Sequence, residues 1–460
     1  MGSTGGSHDP VTDAAAVAAV RSALSGAVPA GAGIVLAVSG GADSTGMAHL
    51  VTAARPDLVA TVVHVRHGLR GDDADVAAAK AHADALGLPF TVAAVVVAAD
   101  GSGPEDAARR ARYDALAAHA QARKAAFVAV GHTADDQAET VLLNISRGSG
   151  LPGLAGMRQI RALTDAVAVV RPLLDLRRSV VRAVASATGL PVAQDPTNDD
   201  PDQRRARARH DLLPLLADLT GAASDPVASL ARLARAARDD STALDDLAAA
   251  EVRRTIGVWG PAVTVSAPSV DALPAALATR VVRMMVGMVA PGHPPSRASV
   301  DAVLALEDGQ VATLHDGVRA SRGGGRVALA GPCVGLPVRR LAAPDDQVDL
   351  PELGMALQRG SGEAPGTLPP WAPAGAAPAI PVTPDAAIVV RSRCPGDRIR
   401  TAAGTQSVAD AMIDAGVPRV ARDLVPVVAD DAGPLWVPGV AVRADAAGHL
   451  RLRLAPLGAK

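Results

Sequence analysis

Six residues, Ser39-Gly40-Gly41-Ala42-Asp43-Ser44, have the types and spacing to hold a phosphorylated ligand. They follow an apolar run over 33–38 and precede a helical pattern with Met47, Leu50 and Val51 on one face. Glycines at a strand–helix junction let the backbone approach closely, and the free N–H groups and dipole of the helix favour an anion. No Gly-Lys-Ser/Thr follows, so this is not the common P-loop. Asp43, inside the loop, suits a metal ion beside the phosphates. Read alone, the same stretch would also serve as an ordinary glycine-rich turn of an α/β protein.

Four further constellations carry polar groups. The stretch His64-Val65-Arg66-His67-Gly68-Leu69-Arg70-Gly71 ends a second strand and fits a nucleotide or a solvated basic loop equally well. Gly131-His132-Thr133-Ala134-Asp135-Asp136-Gln137-Ala138-Glu139 follows a fourth strand, with Thr133 as the expected N-cap. Helical spacing sets Asp135, Asp136 and Glu139 along one side of its first turns. Acidic capping alone would place carboxylates there, but it explains neither His132 nor the Arg147-Gly148-Ser149-Gly150 that closes the helix. Glu105, Arg109, Arg112 and Tyr113 share a helix, where Glu105–Arg109 is also a plain i,i+4 pair. Finally, Asp195-Pro196-Thr197-Asn198-Asp199 precedes Arg204, Arg205, Arg207, Arg209 and His210, a cluster suited to RNA phosphates or to a solvated face.

These groups need a scaffold. Strand-like runs over 34–38, 59–65, 90–97, 126–130 and 166–170 alternate with helical patterns over 42–53, 73–86, 105–123, 134–146 and 176–188. The alternation predicts an α/β, doubly wound, mostly parallel sheet, with ligands beyond the carboxyl ends of its strands. The polar motifs fall at those ends. We expect a lead-in and helix over 1–30, a catalytic domain over 31–218, a helical middle domain over 219–331 with a hairpin turning at Gly323-Gly324-Gly325, a Pro/Gly-rich linker over 332–385, and a small α+β domain over 386–460.

Composition narrows the class. Of 460 residues, 49% are apolar, which supports ordinary cores in two or three domains. Net charge is −2, so any contact with nucleic acid must come from local patches. Only three lysines occur, Lys80, Lys124 and Lys460, which argues against a protein lysine as a covalent carrier. Two cysteines, Cys333 and Cys394, form no Cys-x-x-Cys and suit a reducing cytoplasm. No apolar run approaches the ~20 residues of a membrane span, and no basic segment opens a signal peptide.

Taken together the motifs resemble the N-type ATP pyrophosphatases (the PP-loop superfamily, with a Rossmann-like sheet) and, within them, the bacterial tRNA(Ile)-lysidine synthetases. The stretch 131–156 and the following Met157 are the specific part; Arg391-Ser392-Arg393-Cys394-Pro395-Gly396-Asp397-Arg398, Val417-Pro418-Arg419 and Leu435-Trp436-Val437-Pro438-Gly439 resemble the family's last domain. The resemblance implies a ligase that uses ATP and Mg²⁺ to adenylate the wobble cytidine of the CAU-anticodon tRNA(Ile), which free L-lysine then attacks to give lysidine, AMP and pyrophosphate. By position it implies that Ser39, Gly40, Gly41, Asp43, Ser44 and Arg112 bind ATP, and that Asp43 and Asp136 bind metal. It implies that His132 lies beside the reacting base and that Asp135, Asp136 and Glu139 receive lysine. Arg147, Arg205, Arg207 and Arg209 would contact tRNA, the middle and last domains would help bind it, and a homodimer is compatible. Arg66 stands where the family usually has Asn or Asp, and Ala206 and Ala208 where Asn and a larger apolar residue are common. The competing readings are tRNA thiolation by a related enzyme, for which paired cysteines are lacking, and a non-catalytic tRNA-binding relative, against which the retained carboxylates speak.

Overall fold

The computed structural model of the chain describes residues 13–66, 72–95, 104–193, 204–221, 224–292, 294–332, 335–341, 347–361, 366–384 and 386–457. The segments 67–71 and 195–199 and Cys333, singled out above, lie outside the described residues, as does the side chain of Glu105. The chain forms two units, Met1–Ser241 and Thr242–Lys460.

The first unit runs α1 (Ala14–Leu24), β1 (Gly33–Ala37), α2 (Ala42–Ala54), β2 (Val59–Arg66), α3 (Asp72–Ala85), β3 (Phe90–Ala94), α4 (Pro104–Ala122), β4 (Phe127–Ala129), α5 (Ala134–Ser146), α6 (Leu151–Leu154), β5 (Ile160–Ala162), β6 (Ala168–Val170), α7 (Arg178–Ala187), α8 (Arg204–Arg207) and α9 (Leu213–Thr220). The strands form one sheet in the order β3-β2-β1-β4-β6-β5, parallel except for β5. Helices cover both faces, so β1 is apolar throughout rather than alternating. Ile34, Leu36 and Val38 pack with Val20 of α1, Met47 and Leu50 of α2 and Val181 of α7. Val35, Val63, Val128 and Val169 face the other way, onto Tyr113, Leu116 and Ala120 of α4. Strand order reverses between β1 and β4, which opens a crevice at their carboxyl ends, the usual ligand position in such sheets. The 39–44 loop leaves β1 there, and 130–133 leaves β4.

The pairing of His49 on α2 with His82 on α3 is the notable polar contact inside this core; their ring nitrogens lie 3.0 Å apart. Burial and the neighbouring His82 push the His49 pKa down to about 4. Folded His49 is therefore neutral, whereas in the unfolded chain it takes up a proton near pH 6.5. Its contribution is complete above that pH and is lost as pH falls toward 4. Unfolding free energy is expected to drop by about 1.5 kcal/mol from this site between pH 6.5 and 5. Urea titrations of wild type and His49→Gln at the two pH values check this; the variant should lack that share of the loss.

Helix α10 (Pro226–Thr255) carries the chain into the second unit. There, β7 (Gly257–Trp259), β8 (Ala262–Ser266), α11 (Ala267–Asp271), α12 (Ala275–Val289), α13 (Arg297–Leu304), β9 (Val311–Thr313), β10 (Arg319–Gly323) and β11 (Arg326–Ala330) follow. The middle region is helical as expected, with a five-stranded antiparallel sheet, β7-β8-β11-β10-β9, added to it. Gly324 and Gly325 both have positive φ, 60° and 69°, the backbone of a two-residue hairpin turn between β10 and β11.

Residues 332–385 correct the expectation of a linker. They supply β12 (Arg339–Leu341), β13 (Gln347–Leu350), β14 (Met355–Gly360) and β15 (Ala379–Val382). The C-terminal region adds β16 (Ile388–Arg391), β17 (Arg398–Thr401), β18 (Gly404–Ser407), α14 (Val408–Asp414), β19 (Val427–Asp430), β20 (Gly433–Val437), β21 (Ala441–Val442) and β22 (Leu450–Pro456). The last strand, β22, lies between β14 and β15 in the sheet β13-β14-β22-β15. Pro381 is accommodated because β15 is an edge strand, where a missing N–H costs no ladder bond. One core joins Trp259 of β7 to Trp436 of β20, and Trp259 Nε1–H donates to the Leu424 carbonyl at 3.0 Å. Among the described residues no helix is long and apolar enough to cross a membrane.

Candidate active site at the carboxyl ends of β1 and β4

The 39–44 loop turns at Gly40, whose φ of 91° and whose neighbour, the Asp75 carbonyl 2.6 Å from where a Cβ would stand, both demand glycine. Gly41 is the N-cap of α2, and no side chain caps the helix. Ser44 Oγ instead donates back to the Gly41 carbonyl at 2.9 Å and lies 3.0 Å from Ser39 Oγ. The helix thus begins at the crevice without a side-chain cap, the arrangement that favours phosphate at its first N–H groups, although the Ser44 N–H turns back onto the Gly41 carbonyl at 3.1 Å.

Facing it, α5 starts with a capping box. Thr133 is the N-cap, as expected from the sequence, and Asp136 Oδ2 accepts from both the Thr133 N–H (2.8 Å) and Oγ1 (2.7 Å). The carboxylates of α5 and of the loop then meet on the first turn of α7. Arg178 Nη2 donates to Asp136 Oδ1 at 2.7 Å, Nη1 to Glu139 Oε1 at 3.2 Å, and Nε lies 3.3 Å from Asp43 Oδ2 in an ion pair without hydrogen-bond alignment. Arg182 donates to Asp43 Oδ1 at 3.2 Å. Asp135 accepts from the Arg178 backbone N–H at 2.7 Å and pairs with Arg177, which also pairs with Asp225. Arg209 reaches the same buried Glu139 oxygen at 2.8 Å. Sequence reasoning missed Arg177, Arg178 and Arg182. One signal was available: two arginines open α7 with no acid in its first turn, against the helix dipole, so a carboxylate cluster had to stand opposite.

Electrostatics separates the carboxylates. Burial raises the Asp43 pKa and outweighs the pull of Arg178 and Arg182. Burial acts the same way on Asp136, but there Arg178 and the Thr133 cap prevail and hold it below the usual carboxylate range. His132 is pushed down to about 3 by burial and by surrounding arginines, against the attraction of Asp136, so it is neutral at physiological pH. Arg171 Nε donates to His132 Nδ1 at 3.2 Å, which leaves Nε2 as the protonated nitrogen of the neutral ring. The guanidiniums of Arg109 (5.2 Å) and Arg161 (5.6 Å) both stand over the Tyr113 ring.

Close packing fixes these groups. A Cβ on Gly46 of α2 would stand 2.5 Å from the Val181 carbonyl of α7. Gly46→Ala should therefore push α7 outward and carry Arg178 and Arg182 off Asp43. We expect about a 100-fold loss in kcat/KM for ATP, because ångström displacements of positioning groups cost that much, with about 1–3 kcal/mol of destabilisation from overpacking. Steady-state kinetics and urea unfolding measure both. Gln137 bonds the Met157 N–H (2.7 Å) and carbonyl (3.2 Å), and Asn144 bonds the Gly153 carbonyl (2.8 Å), so the turn after α5 is tied to that helix.

The remaining sequence candidates spread around the crevice. Arg112 stands on α4 beside Arg109 and Tyr113. Arg147 is the C-cap of α5. Arg205 is close enough to bear on His132 electrostatically, whereas exposed Arg207 pairs with Asp211 at 3.5 Å. Ala206 and Ala208 are buried; small side chains there let the segment pack closely.

Two carboxylates with oxygen donors suit a hard divalent cation that keeps most of its other ligands as water and phosphate. Asp43 fits that role, because burial leaves its charge under-compensated by the arginines present, and Glu139 Oε2 is buried without a hydrogen-bond partner. Among the described residues no group of three or more His, Cys, Asp or Glu stands ready as an all-protein metal cage.

A parallel sheet with a Ser-Gly-Gly loop at its switch point, an uncapped helix behind it and carboxylates opposite defines a PP-loop ATP-binding domain. The family model described as the PP-loop domain matches residues 18–216, and that described as the TilS substrate C-terminal domain matches 388–454. The tRNA(Ile)-lysidine synthase of Symbiobacterium thermophilum is 34% identical over 440 residues, covering 88% of this chain and 89% of the relative. That of Salinispora tropica is 41% identical over 330 residues, covering 69% of this chain and 97% of the relative. A solved TilS C-terminal domain is 26% identical, covering 27% of this chain and 100% of its own, with a TM-score of 0.22. The chain belongs to the tRNA(Ile)-lysidine synthase family.

Proposed function

We propose that this enzyme joins free L-lysine to the wobble cytidine of the CAU-anticodon tRNA(Ile), a carbon–nitrogen ligation driven by ATP. The observation that carries the reading is that Arg178 joins Asp43 of the phosphate loop to Asp136 and Glu139 of α5. The loop N–H groups of 41–43 receive the departing pyrophosphate, which the helix dipole stabilises. The oxygen at ring position 2 of cytosine attacks the α-phosphorus; the bond to pyrophosphate breaks and an adenylated cytidine forms. The lysine ε-amine then attacks carbon 2, and AMP leaves with the former oxygen.

Asp43 and Asp136 would hold Mg²⁺, which when bound supplies charge neutralisation on the phosphates. A carboxylate held ionised, such as Asp136, is a weak base but a good partner for an ammonium group. Asp135, Asp136 and Glu139 accordingly are read as the lysine pocket, neutral His132 as the neighbour of the base, Arg112 as a phosphate contact, and Arg147, Arg205 and Arg207 as RNA contacts. Arg209 is assigned first to Glu139 and only through it to RNA. A homodimer and a cytoplasmic setting complete the reading. Incubation with ATP, Mg²⁺, labelled lysine and the CAU tRNA(Ile) should place label in the tRNA; tRNA that stays unlabelled while pyrophosphate is not released would sink the assignment.

A further inference from the structure

His49 and His82 are polar side chains in a core where leucine would pack without desolvation cost. Their hydrogen bonds run in one direction. His82 Nε2 lies 3.1 Å from the Pro191 carbonyl, which can only accept, so this nitrogen carries the proton. Neutral His82 then accepts at Nδ1, and His49 Nε2–H is the donor to it across 3.0 Å. Both rings are neutral at physiological pH, His49 with its pKa near 4.

Pro191 belongs to the short segment that leaves α7 and returns to the phosphate loop. Two residues on, the Ala193 N–H donates to the Gly40 carbonyl at 2.9 Å, and Ala193 bridges Gly41 as a parallel partner. The Gly40 carbonyl and the Gly41 N–H belong to one trans peptide and point in opposite directions. A hydrogen bond that fixes the carbonyl on Ala193 therefore aims the Gly41 N–H away from the segment.

We propose that His82, backed by His49, is a positioning residue for ATP: it holds the 191–193 segment on Gly40 and so orients the Gly41 N–H toward the phosphates. The proposal rests on the reading of 39–44 as the ATP phosphate loop. It adds that this loop is aimed from behind, by two side chains that touch no substrate.

His82→Leu keeps bulk and removes both bonds, whereas His82→Gln keeps a donor for the Pro191 carbonyl. In His82→Leu, KM for ATP should rise about ten-fold, the worth of one well-placed hydrogen bond. kcat at saturating ATP, KM for lysine and Kd for tRNA should stay within two-fold. Hydrogen exchange at the Ala193 amide should quicken by about ten-fold, with β1 and β4 amides unchanged. His82→Gln should restore both readouts. Unaltered exchange at Ala193 overturns the proposal, as does a uniform loss of every parameter that glutamine does not rescue. Faster exchange with an unchanged ATP KM instead places the phosphates elsewhere and overturns the phosphate-loop reading. Should His82→Leu not fold, His49→Leu against His49→Gln tests the outer residue on the same readouts, and identical behaviour of those two overturns the proposal.

Discussion

Asp43→Asn abolishes pyrophosphate release, by at least about 1,000-fold in kcat, while tRNA affinity stays within two-fold and the fold gains rather than loses stability. The first part follows from losing a charge aimed at the departing phosphates, a change worth several kcal/mol in the transition state. The last part is the sharper one. Burial raises the Asp43 pKa even though Arg178 and Arg182 stand beside it. Its ionised form is therefore favoured less in the folded than in the unfolded chain, and at neutral pH the charge works against folding. A neutral isostere removes that cost, as expected where stability has been given up for a functional charge. Pyrophosphate release with tRNA present and a thermal melt measure the two parts. Retained release would remove Asp43 from the chemistry; a large drop in Tm would make it a structural ion-pair partner.

Arg178→Leu should cost about 3–5 kcal/mol of unfolding free energy and all detectable ligation. Removing one member of a buried ionic group leaves its partners uncompensated, and here three carboxylates share one guanidinium. Glu139, at 1% exposure, would keep only Arg209. Lysine should not rescue the site, because one ammonium cannot reproduce donors aimed at separate carboxylates. The pH dependence carries a definite sign. In wild type, Asp136 is held below its ordinary pKa, so its contribution is present above about pH 4 and is lost as pH falls through the folded value. Without Arg178, burial acts on Asp43 and Asp136 with less to oppose it, so their pKa values should rise and protonation then favours folding. The stability gap between the two proteins should narrow from pH 8 to pH 5 in urea titrations. A constant gap would place the loss in packing rather than in charge.

Much of the scaffold was legible because the relevant forces are local. The apolar run of β1 and the Ser-Gly-Gly turn declare a buried strand feeding a helix without a side-chain cap, and Thr133 with Asp136 three residues on declares a capped α5. The hairpin at Gly324-Gly325 could be read from glycines alone, since both need positive φ. The segment 332–385 could not. Its strands are three to six residues long, separated by Pro and Gly, and β12, β14 and β15 become strands by pairing with β16 and β22, far along the chain, with β13 added to β14.

The site divides along the same line. The sequence by itself singled out the groups proposed to carry the chemistry: the loop 39–44, the carboxylates Asp135, Asp136 and Glu139, and His132, each placed by strand ends and helix spacing. Only the tertiary structure decided how those charges are held. The close crossing at Gly46 brings α7 onto α2 and makes Arg178 the common counter-ion of carboxylates up to 96 positions apart. The same folding sets His82 against the Pro191 carbonyl, 109 residues away. Spacing along one helix or strand is a local property that sequence records. Which charge compensates which depends on helices meeting across the sheet, and that is settled only when the core closes.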